Sequence, residues 1–454
     1  MQEFTVEEVR AACGGEYIKE ADGLISGVTI DSRKATDGML FVPIVGEKVD
    51  GHDYISSAME SGAAASLSEK EDVLTEKGAV IKVKSSVDAI GKIAAAYKKK
   101  YNVPTVGVTG SVGKTTTKDM IAAVMSKLGP CLKTEGNFNN ELGLPLTVFG
   151  LEKEHKSAVL EMGMSAFGEI HHLVDIARPD VAVITNVGMS HIENLGSREG
   201  ILKAKMEIAD FFGKDNLLII NQDNDMLKTV SRDKEYKILT YGIDEKADYM
   251  AENIADNGLE GCSFTAVTPK GRIDIKLAAA GVHNVYNALS ALAVGEHFGI
   301  SSADIADAVG NFQLTKMRMT VEKYGDVTLI NDCYNASYDS IKAGLEVLAK
   351  AKGRRVAVLG DVLELGNFAK DTHLNIGDVC GGRADVVITA GNNAKYIAEG
   401  AKNAGVKEVF YYPTTEEAAG IAAEMVEAGD TILVKASRGM KFEKVCNAIG
   451  DKLK

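Results

Sequence analysis

The sequence predicts a three-domain α/β protein, with a small α/β domain over residues 1–84, a central parallel-sheet domain over 85–313 and a C-terminal Rossmann-like α/β domain over 314–454. Three observations lead there. The chain is 454 residues long, enough for roughly three domains of about 150 residues each. Short runs rich in Val and Ile recur at TVGVTG (105–110), SAVLEMG (157–163), DVAVITNVG (180–188) and DNLLIINQD (215–223), with helical patterns between several of them. Such alternation of strand and helix signals indicates βα units around a largely parallel sheet. The rhythm gives way to a polar, strand-rich stretch over 234–280. It restarts after about residue 314 with VTLINDC, RRVAVLGD, ADVVITAGN, EVFYY and DTILVKAS.

Taken in order, the first domain opens on an amphipathic segment (Phe4, Val9, Ala12) and continues through short strands in GVTIDSR and MLFVPIVG. VDAIGKIAAAYKKKY (87–101) predicts a helix leading to Asn102 and Pro104, and GVHNVYNALSALAVGEHFG (281–299) predicts another. There is no solenoid repeat and no low-complexity segment. Hydrophobic residues make up 45% and charged residues 25%, ordinary for a globular protein with real cores. The net charge of −13 argues against non-specific nucleic-acid binding, which needs surplus Lys and Arg to neutralise phosphates. The six cysteines are scattered without a CxxC pair, so neither a disulfide framework nor a zinc site is expected. MQEFTVEEVR lacks a basic-then-apolar signal pattern, and no apolar run reaches the ~20 residues of a membrane span. A cytoplasmic location is expected.

The sharpest motif is TVGVTGSVGKTTTKDMIAAVM (105–125). A buried strand should run into a loop where Gly110 and Gly113 let backbone N–H groups face phosphate oxygens, and then into a helix beginning near Lys114. The helix N-terminus adds positive potential. Lys114 can reach the β- and γ-phosphates, and the Thr115 hydroxyl can ligate Mg²⁺. The strict pattern G-x-x-x-x-G-K-[ST] wants glycine where this chain has Val108, so TGSVGKT is a variant of it.

Two later strands also end in polar groups: Glu161 closes SAVLEMG, and Asn186 and His191 follow DVAVIT. Ligands of open parallel sheets sit at the carboxyl ends of strands, so these groups can converge on the phosphate loop. Their shared position favours metal ligation over the blander reading as solvated loop residues. Lys203 and Lys205, in REGILKAKMEIADFF, read from composition as solvated helix lysines. EGNFNNELGLPLTVF (135–149) is either a polar ligand segment or a turn-rich connection.

Together these segments resemble the Mur ligase family. TGSVGKTTTKDM is similar to its ATP loop and EGNFNNELGLPLT to its Asn-rich substrate segment. LEMGMSAFGEI, ITNVGMSHIENLGSREGILKAKMEI, GVHNVYNALSALAV, NDCYNASYDSIKAGLEVL, VAVLGDVLELG and VKASRGMKFEKV follow in family order, over essentially the whole chain. YNASYDSIKAGLEVL and VLGDVLELG resemble the members that add D-alanyl-D-alanine, and no DNPR-type motif of the third-residue ligase is present. TIDSRKATDGMLFVPIVGEKVDGHDYISSAMESGAAASL resembles a UDP-binding first domain.

The resemblance implies an ATP-dependent amide ligase of peptidoglycan synthesis that joins D-alanyl-D-alanine to UDP-N-acetylmuramoyl-tripeptide through an acyl phosphate. It implies ATP contacts at Thr109, Gly110, Ser111, Val112, Gly113, Lys114, Thr115 and Thr116, at Asn284 and Asn287 on the adenine side, and at Arg318 and Asp332. Two Mg²⁺ ions would be held by Thr115, Glu161, His191 and Lys205, the last as a carbamate formed with CO₂. That role replaces the solvated-helix reading of Lys205. Lys114, Glu161, His191 and Lys205 would be catalytic. The UDP-substrate is implied at Asp31, Ser32, Arg33, Asn137, Asn139 and Asn140, and D-alanyl-D-alanine near Tyr334, Asn335 and Ser337. The family often has a proline and glycine just before the arginine, where this chain reads TKMRMT. The alternatives are another amide ligase of the superfamily, the third-residue ligase above all, or a nucleotide-binding module without ligation. A monomer is expected.

Overall fold

The computed structural model describes residues 4–73 and 75–454. Among them, the first domain carries a five-stranded sheet in the order Glu16–Lys19, Ala79–Lys82, Ala65–Ser68, Met39–Phe41, Gly27–Thr29. The amphipathic opening is the helix Val6–Cys13, with a capping box between Thr5 and Glu8 and buried Val6, Val9 and Cys13. Phe4 precedes it on a short strand paired with Leu24–Ile25.

The predicted connecting helix spans Ser86–Lys98, N-capped by Ser85, and buries Ile90, Ile93, Ala94 and Tyr97. It joins the first domain to the central one. The Tyr97 hydroxyl donates to Leu151 O at 2.8 Å, and its ring meets Phe4 edge-on at 5.9 Å. One apolar cluster therefore runs from Phe4 and Leu67 through Tyr97 to Leu160 and Ile184.

The central sheet has nine strands. Seven run parallel in the order Cys131–Lys133, Ser157–Glu161, Thr105–Thr109, Val181–Ile184, Leu217–Asn221, Lys237–Gly242, Tyr249–Asp256. Their inner strands are buried on both faces, which is why they read as unbroken apolar runs. The polar stretch after residue 234 supplies the outer strands, ending in an antiparallel hairpin of Cys262–Thr268 and Gly271–Leu277. The first alternates buried with half-buried residues and the second buried with exposed ones, as a half-covered edge does. The phosphate-loop strand Thr105–Thr109 lies between Ser157–Glu161 and Val181–Ile184, so the loops after all three emerge side by side.

The C-terminal sheet has six strands in the order Thr320–Tyr324, Val327–Asn331, Thr431–Lys435, Arg355–Gly360, Val386–Ala390, Glu408–Tyr412, all parallel except the first pair. Apolar clusters fill both its faces. Leu314 packs half-buried against the central and the C-terminal clusters alike. Beyond it, Met317 (φ 62°) and Met319 (φ 54°) take left-handed backbone conformations on either side of Arg318. Met317 thus adopts, with a side chain, the conformation for which glycine is the default residue.

No helix among the described residues is long and apolar enough to cross a membrane. All six cysteines are free.

In the C-terminal domain the helices Ala369–Cys380 and Ala394–Asn403 cross at Gly377. A Cβ there would stand 2.3 Å from Ile397 O and 2.6 Å from Ala401 N. Backbone cannot yield as a side chain does, so Gly377→Ala should destabilise this domain by about 1–3 kcal/mol, the usual scale of overpacking. A lower urea midpoint for the transition that deprotects these two helices in hydrogen exchange checks it.

Candidate active site

A cavity of about 520 Å³ lies where the carboxyl ends of the central and C-terminal sheets face each other. Its size is that of a pocket for a small-molecule ligand. One wall is the phosphate loop. Gly113, at φ 85°, turns the chain into the helix Lys114–Met125. Gly110, at φ 152°, has no room for a Cβ, which would fall 1.8 Å from Thr185 Oγ1. The loop is braced from the next strand: Asn186 Oδ1 accepts from Val112 N at 2.8 Å, and Asn186 O accepts from Ser111 N at 3.1 Å. Asn186 is thereby committed to loop backbone. Residues 111–116 line the cavity, whereas Thr109 and Gly110 do not.

Lys114 donates to Gly110 O at 2.8 Å. Burial lowers its amine pKa, the Glu161 carboxylate opposing this and Arg318 adding to it. Arg318 Nη2 donates to Thr115 Oγ1 at 3.0 Å, so the linker arginine already touches the loop. Thr117 donates to Asn287 Oδ1, Asn287 to Asn284 Oδ1 and Asn284 to Ala280 O, at 2.8–3.0 Å. This chain fixes both asparagines on one cavity wall.

The Asn-rich segment lines the cavity. Asn139 Nδ2 donates to Glu161 Oε1 at 2.9 Å, Asn140 Oδ1 accepts from Gly143 N, and Asn137, Asn139 and Asn140 line the cavity. Glu161 is 2% exposed, and its Oε2 is buried without a partner. Lys205 is also 2% exposed, which overturns the compositional reading of a solvated lysine, while Lys203 is exposed as expected. Burial, and secondarily the Lys114 charge, push the Lys205 amine pKa well down. A buried acid oxygen lacking a partner is costly unless something completes it, and so is a buried amine that must carry charge. Among the described residues no three His, Cys, Asp or Glu side chains gather to hold a metal. A cation that also binds phosphates needs only one or two carboxylates, and Glu161 with Thr115 and a derivatised Lys205 fit that description.

The opposite wall belongs to the C-terminal sheet. Asp332 and Lys435 close adjacent strands. Lys435 Nζ donates to Asp332 Oδ2 at 2.5 Å and to Asn335 O at 3.1 Å, while Asp332 Oδ1 accepts from Met319 N at 3.1 Å. Tyr334, Asn335 and Ser337 line the same wall. The guanidinium carbons of Arg318 and Arg438 stand 4.3 and 5.6 Å from the centre of the Tyr334 ring. His191 lines the cavity, with Nδ1 2.5 Å from Glu364 Oε2 of the C-terminal domain.

Asp31, Ser32 and Arg33 are not brought to this cavity. They form a short 3₁₀ turn in the first domain, where the Asp31 carboxylate caps the turn and pairs with an exposed Arg33. Sequence reasoning missed Lys435, Arg438, His283, Tyr286 and Glu364. Lys435 did carry a signal, a charge at the end of the apolar run TILV. The others sit in quoted segments without any spacing that sets them apart.

Similarity to known proteins matches this geometry. Three family models cover the chain in order: "Mur ligase family, catalytic domain" over 24–103, "Mur ligase middle domain" over 108–295 and "Mur ligase, glutamate ligase domain" over 317–438. The fold and site define an ATP-dependent amide ligase. The chain belongs to the Mur ligase family. It is 40% identical over 428 residues to the UDP-N-acetylmuramoyl-tripeptide–D-alanyl-D-alanine ligase of Bacillus subtilis (strain 168), covering 93% of this chain and 92% of that protein. It is 34% identical to the Escherichia coli (strain K12) protein of the same name, with 99% of each covered. Among solved structures, a MurF from Acinetobacter baumannii superposes with a TM-score of 0.93 at 30% identity over 99% of each chain. The MurF ligase from Thermotoga maritima in complex with ADP gives 0.84 at 30% identity, over 94% of this chain and 97% of that one.

The Asp332–Lys435 pair is buried, at 7% and 2% exposure. Removing one partner of a buried pair costs about 3–5 kcal/mol, because the other charge is left uncompensated. Lys435→Met should therefore destabilise the C-terminal domain on that scale, and adding Asp332→Asn should recover more than half of the loss. Urea unfolding of both variants measures it.

Proposed function

We propose that the chain joins D-alanyl-D-alanine to UDP-N-acetylmuramoyl-tripeptide with hydrolysis of ATP to ADP and phosphate, giving the UDP-linked muramoyl-pentapeptide. The observation that carries this reading is the split cavity, with a phosphate loop on one wall and a carboxylate, two arginines and a tyrosine on the other. Whole-length similarity to ligases of that name supports the substrates.

The tripeptide carboxylate attacks the γ-phosphate, the β–γ bridge breaks, and ADP leaves. The amine of the dipeptide then attacks the acyl phosphate carbonyl, loses a proton and expels phosphate. Both partners of the first step are anionic, so the site must neutralise charge as they approach. Lys114 and the loop N–H groups do this at the phosphates, and Arg318 bridges the loop and the linker. Two Mg²⁺ ions, held by Thr115, Glu161, His191 and a carbamate on Lys205, would supply further charge neutralisation when bound.

Lys205 suits carbamylation because its burial favours the neutral amine, the form that adds to CO₂. Asn284 and Asn287 would meet the adenine side and Asp332 the ribose. Asn137, Asn139 and Asn140 would face the muramoyl peptide. The Tyr334–Ser337 loop would face the dipeptide. Asp31, Ser32 and Arg33 would bind the UDP end, in the first domain. Excluding water from the acyl phosphate requires the two walls to meet, which makes 85–313 and 314–454 the natural moving units.

Phosphate release should require ATP, the UDP-muramoyl tripeptide and D-alanyl-D-alanine together; turnover with the dipeptide omitted or freely replaced would remove the assignment. Lys114→Ala should lose about 10²–10³-fold in kcat, the scale of one lost transition-state donor, with an unchanged circular-dichroism spectrum. Lys205→Ala should be nearly inactive and regain part of its rate with added formate or acetate. A Lys205→Ala enzyme of ordinary rate would exclude the carbamate.

A further inference from the structure

His191 and Glu364 meet across the domain boundary in an unusual way. His191 belongs to the loop after the central strand Val181–Ile184, and Glu364 to the loop after the C-terminal strand Arg355–Gly360. Both are non-glycine residues in the left-handed region, at φ 63° and φ 62°. Strained backbone of this kind persists where surrounding structure over-determines it, and it clusters at functional sites. The segments behind them abut as well: a Cβ on Gly366 would lie 3.1 Å from Glu193 Cγ. The contact itself is 2.5 Å between His191 Nδ1 and Glu364 Oε2, the carboxylate side chain being 58% exposed; Nδ1 is buried and its hydrogen is not aligned on the carboxylate, so it makes no hydrogen bond in this arrangement. A contact to so exposed a carboxylate, without an aligned hydrogen bond, contributes little to stability, and that leaves two strained residues unexplained by stability alone.

The chemistry of imidazole explains them. When a carboxylate takes the hydrogen on one ring nitrogen, the tautomer is fixed and the other nitrogen keeps its lone pair. Histidines that ligate metals are held in this way by a carboxylate or carbonyl behind them. We propose that Glu364 is a positioning residue for His191: its carboxylate stands at Nδ1, takes that hydrogen when the ring turns to present Nε2 to the cation of the nucleotide site, and does so from the C-terminal domain. Metal affinity is then coupled to domain closure, because the orienting carboxylate arrives only when 314–454 sits against the central domain. The inference rests on the metal-assisted ligase reading above and deepens it.

The test uses the full chain, Glu364→Gln and Glu364→Ala, with Mn²⁺ as the probe cation. Free Mn²⁺ is read by electron paramagnetic resonance at saturating ADP, against nucleotide-only blanks. The expected result is a 10- to 100-fold weaker Mn²⁺ affinity in both variants, the usual effect of losing an outer carboxylate. The Mg²⁺ concentration for half-maximal activity should rise in parallel, with the KM for D-alanyl-D-alanine and the small-angle scattering radius unchanged. Affinity within two-fold of the parent in both variants overturns the proposal while the ligase reading stands. Weakened affinity with an expanded radius also overturns it, since Glu364 would then be a latch between domains. A parent that ligates yet shows no nucleotide-dependent Mn²⁺ binding would defeat the metal reading and this proposal together.

Discussion

The carboxylate of Asp119 holds the two halves of the site in register. It is 6% exposed, on the first turns of the phosphate-loop helix, and a charge so placed must be paired. Lys118 and Lys133 lie 2.8 and 2.9 Å from its Oδ1. Thr315 donates to its Oδ2 at 2.7 Å. Burial would raise its pKa, but these partners together hold it below the ordinary carboxylate value. Thr315 is the first polar residue of the linker into the last domain, three residues before Arg318. The helix that presents Lys114 and Thr115 to the cavity is therefore tied, through one buried acid, to the segment that delivers Arg318 to the same place. Lys118 also donates to Thr134 O at 2.6 Å, and Thr134 Oγ1 accepts from Glu161 N, so the tie extends to the candidate metal ligand.

How much of this could be read from the sequence depended on whether the signal was local. The strands Thr105–Thr109, Ser157–Glu161, Val181–Ile184 and Leu217–Asn221 were legible because sheets covered on both faces need continuous apolar runs. The phosphate loop was legible because a tight turn, a lysine and a helix start must be contiguous. The short strand Cys131–Lys133 and the edge strand Thr320–Tyr324 were not: one has three residues, and the other is only half-buried. Burial of Lys205 was invisible in composition, because a lysine facing inward on an amphipathic helix is spelled like one facing out. Asn139 was ambiguous for a different reason. Its partner Glu161 is twenty-two residues away, and only the sheet order makes them neighbours.

The unusual linker TKMRMT shows where local chemistry and global demand conflict. Left-handed backbone costs an L-residue roughly 1–2 kcal/mol relative to the right-handed form, and Met317 and Met319 both adopt it. The surroundings oppose relaxation. Met317 O accepts from Tyr334 N at 3.2 Å, and Met319 N is held by the Asp332 carboxylate, which Lys435 fixes in turn. His191 and Glu364 repeat the pattern on the other side of the cavity.

Among the described residues, four of the seven non-glycine residues in this conformation thus border the junction between the two larger domains. Strain placed where two rigid sheets meet has a mechanical consequence. It is tolerated only while both sheets hold their ends of the linker and loops, so the contacts that complete the site also oppose its relaxation. A chain that must bring two anions together, exclude water and then release ADP, phosphate and product benefits from a closed arrangement that is never much deeper than the open one. The strain sits at the junction and leaves intact the packing inside each domain that fixes Lys114, Glu161 and Asp332 on the cavity walls.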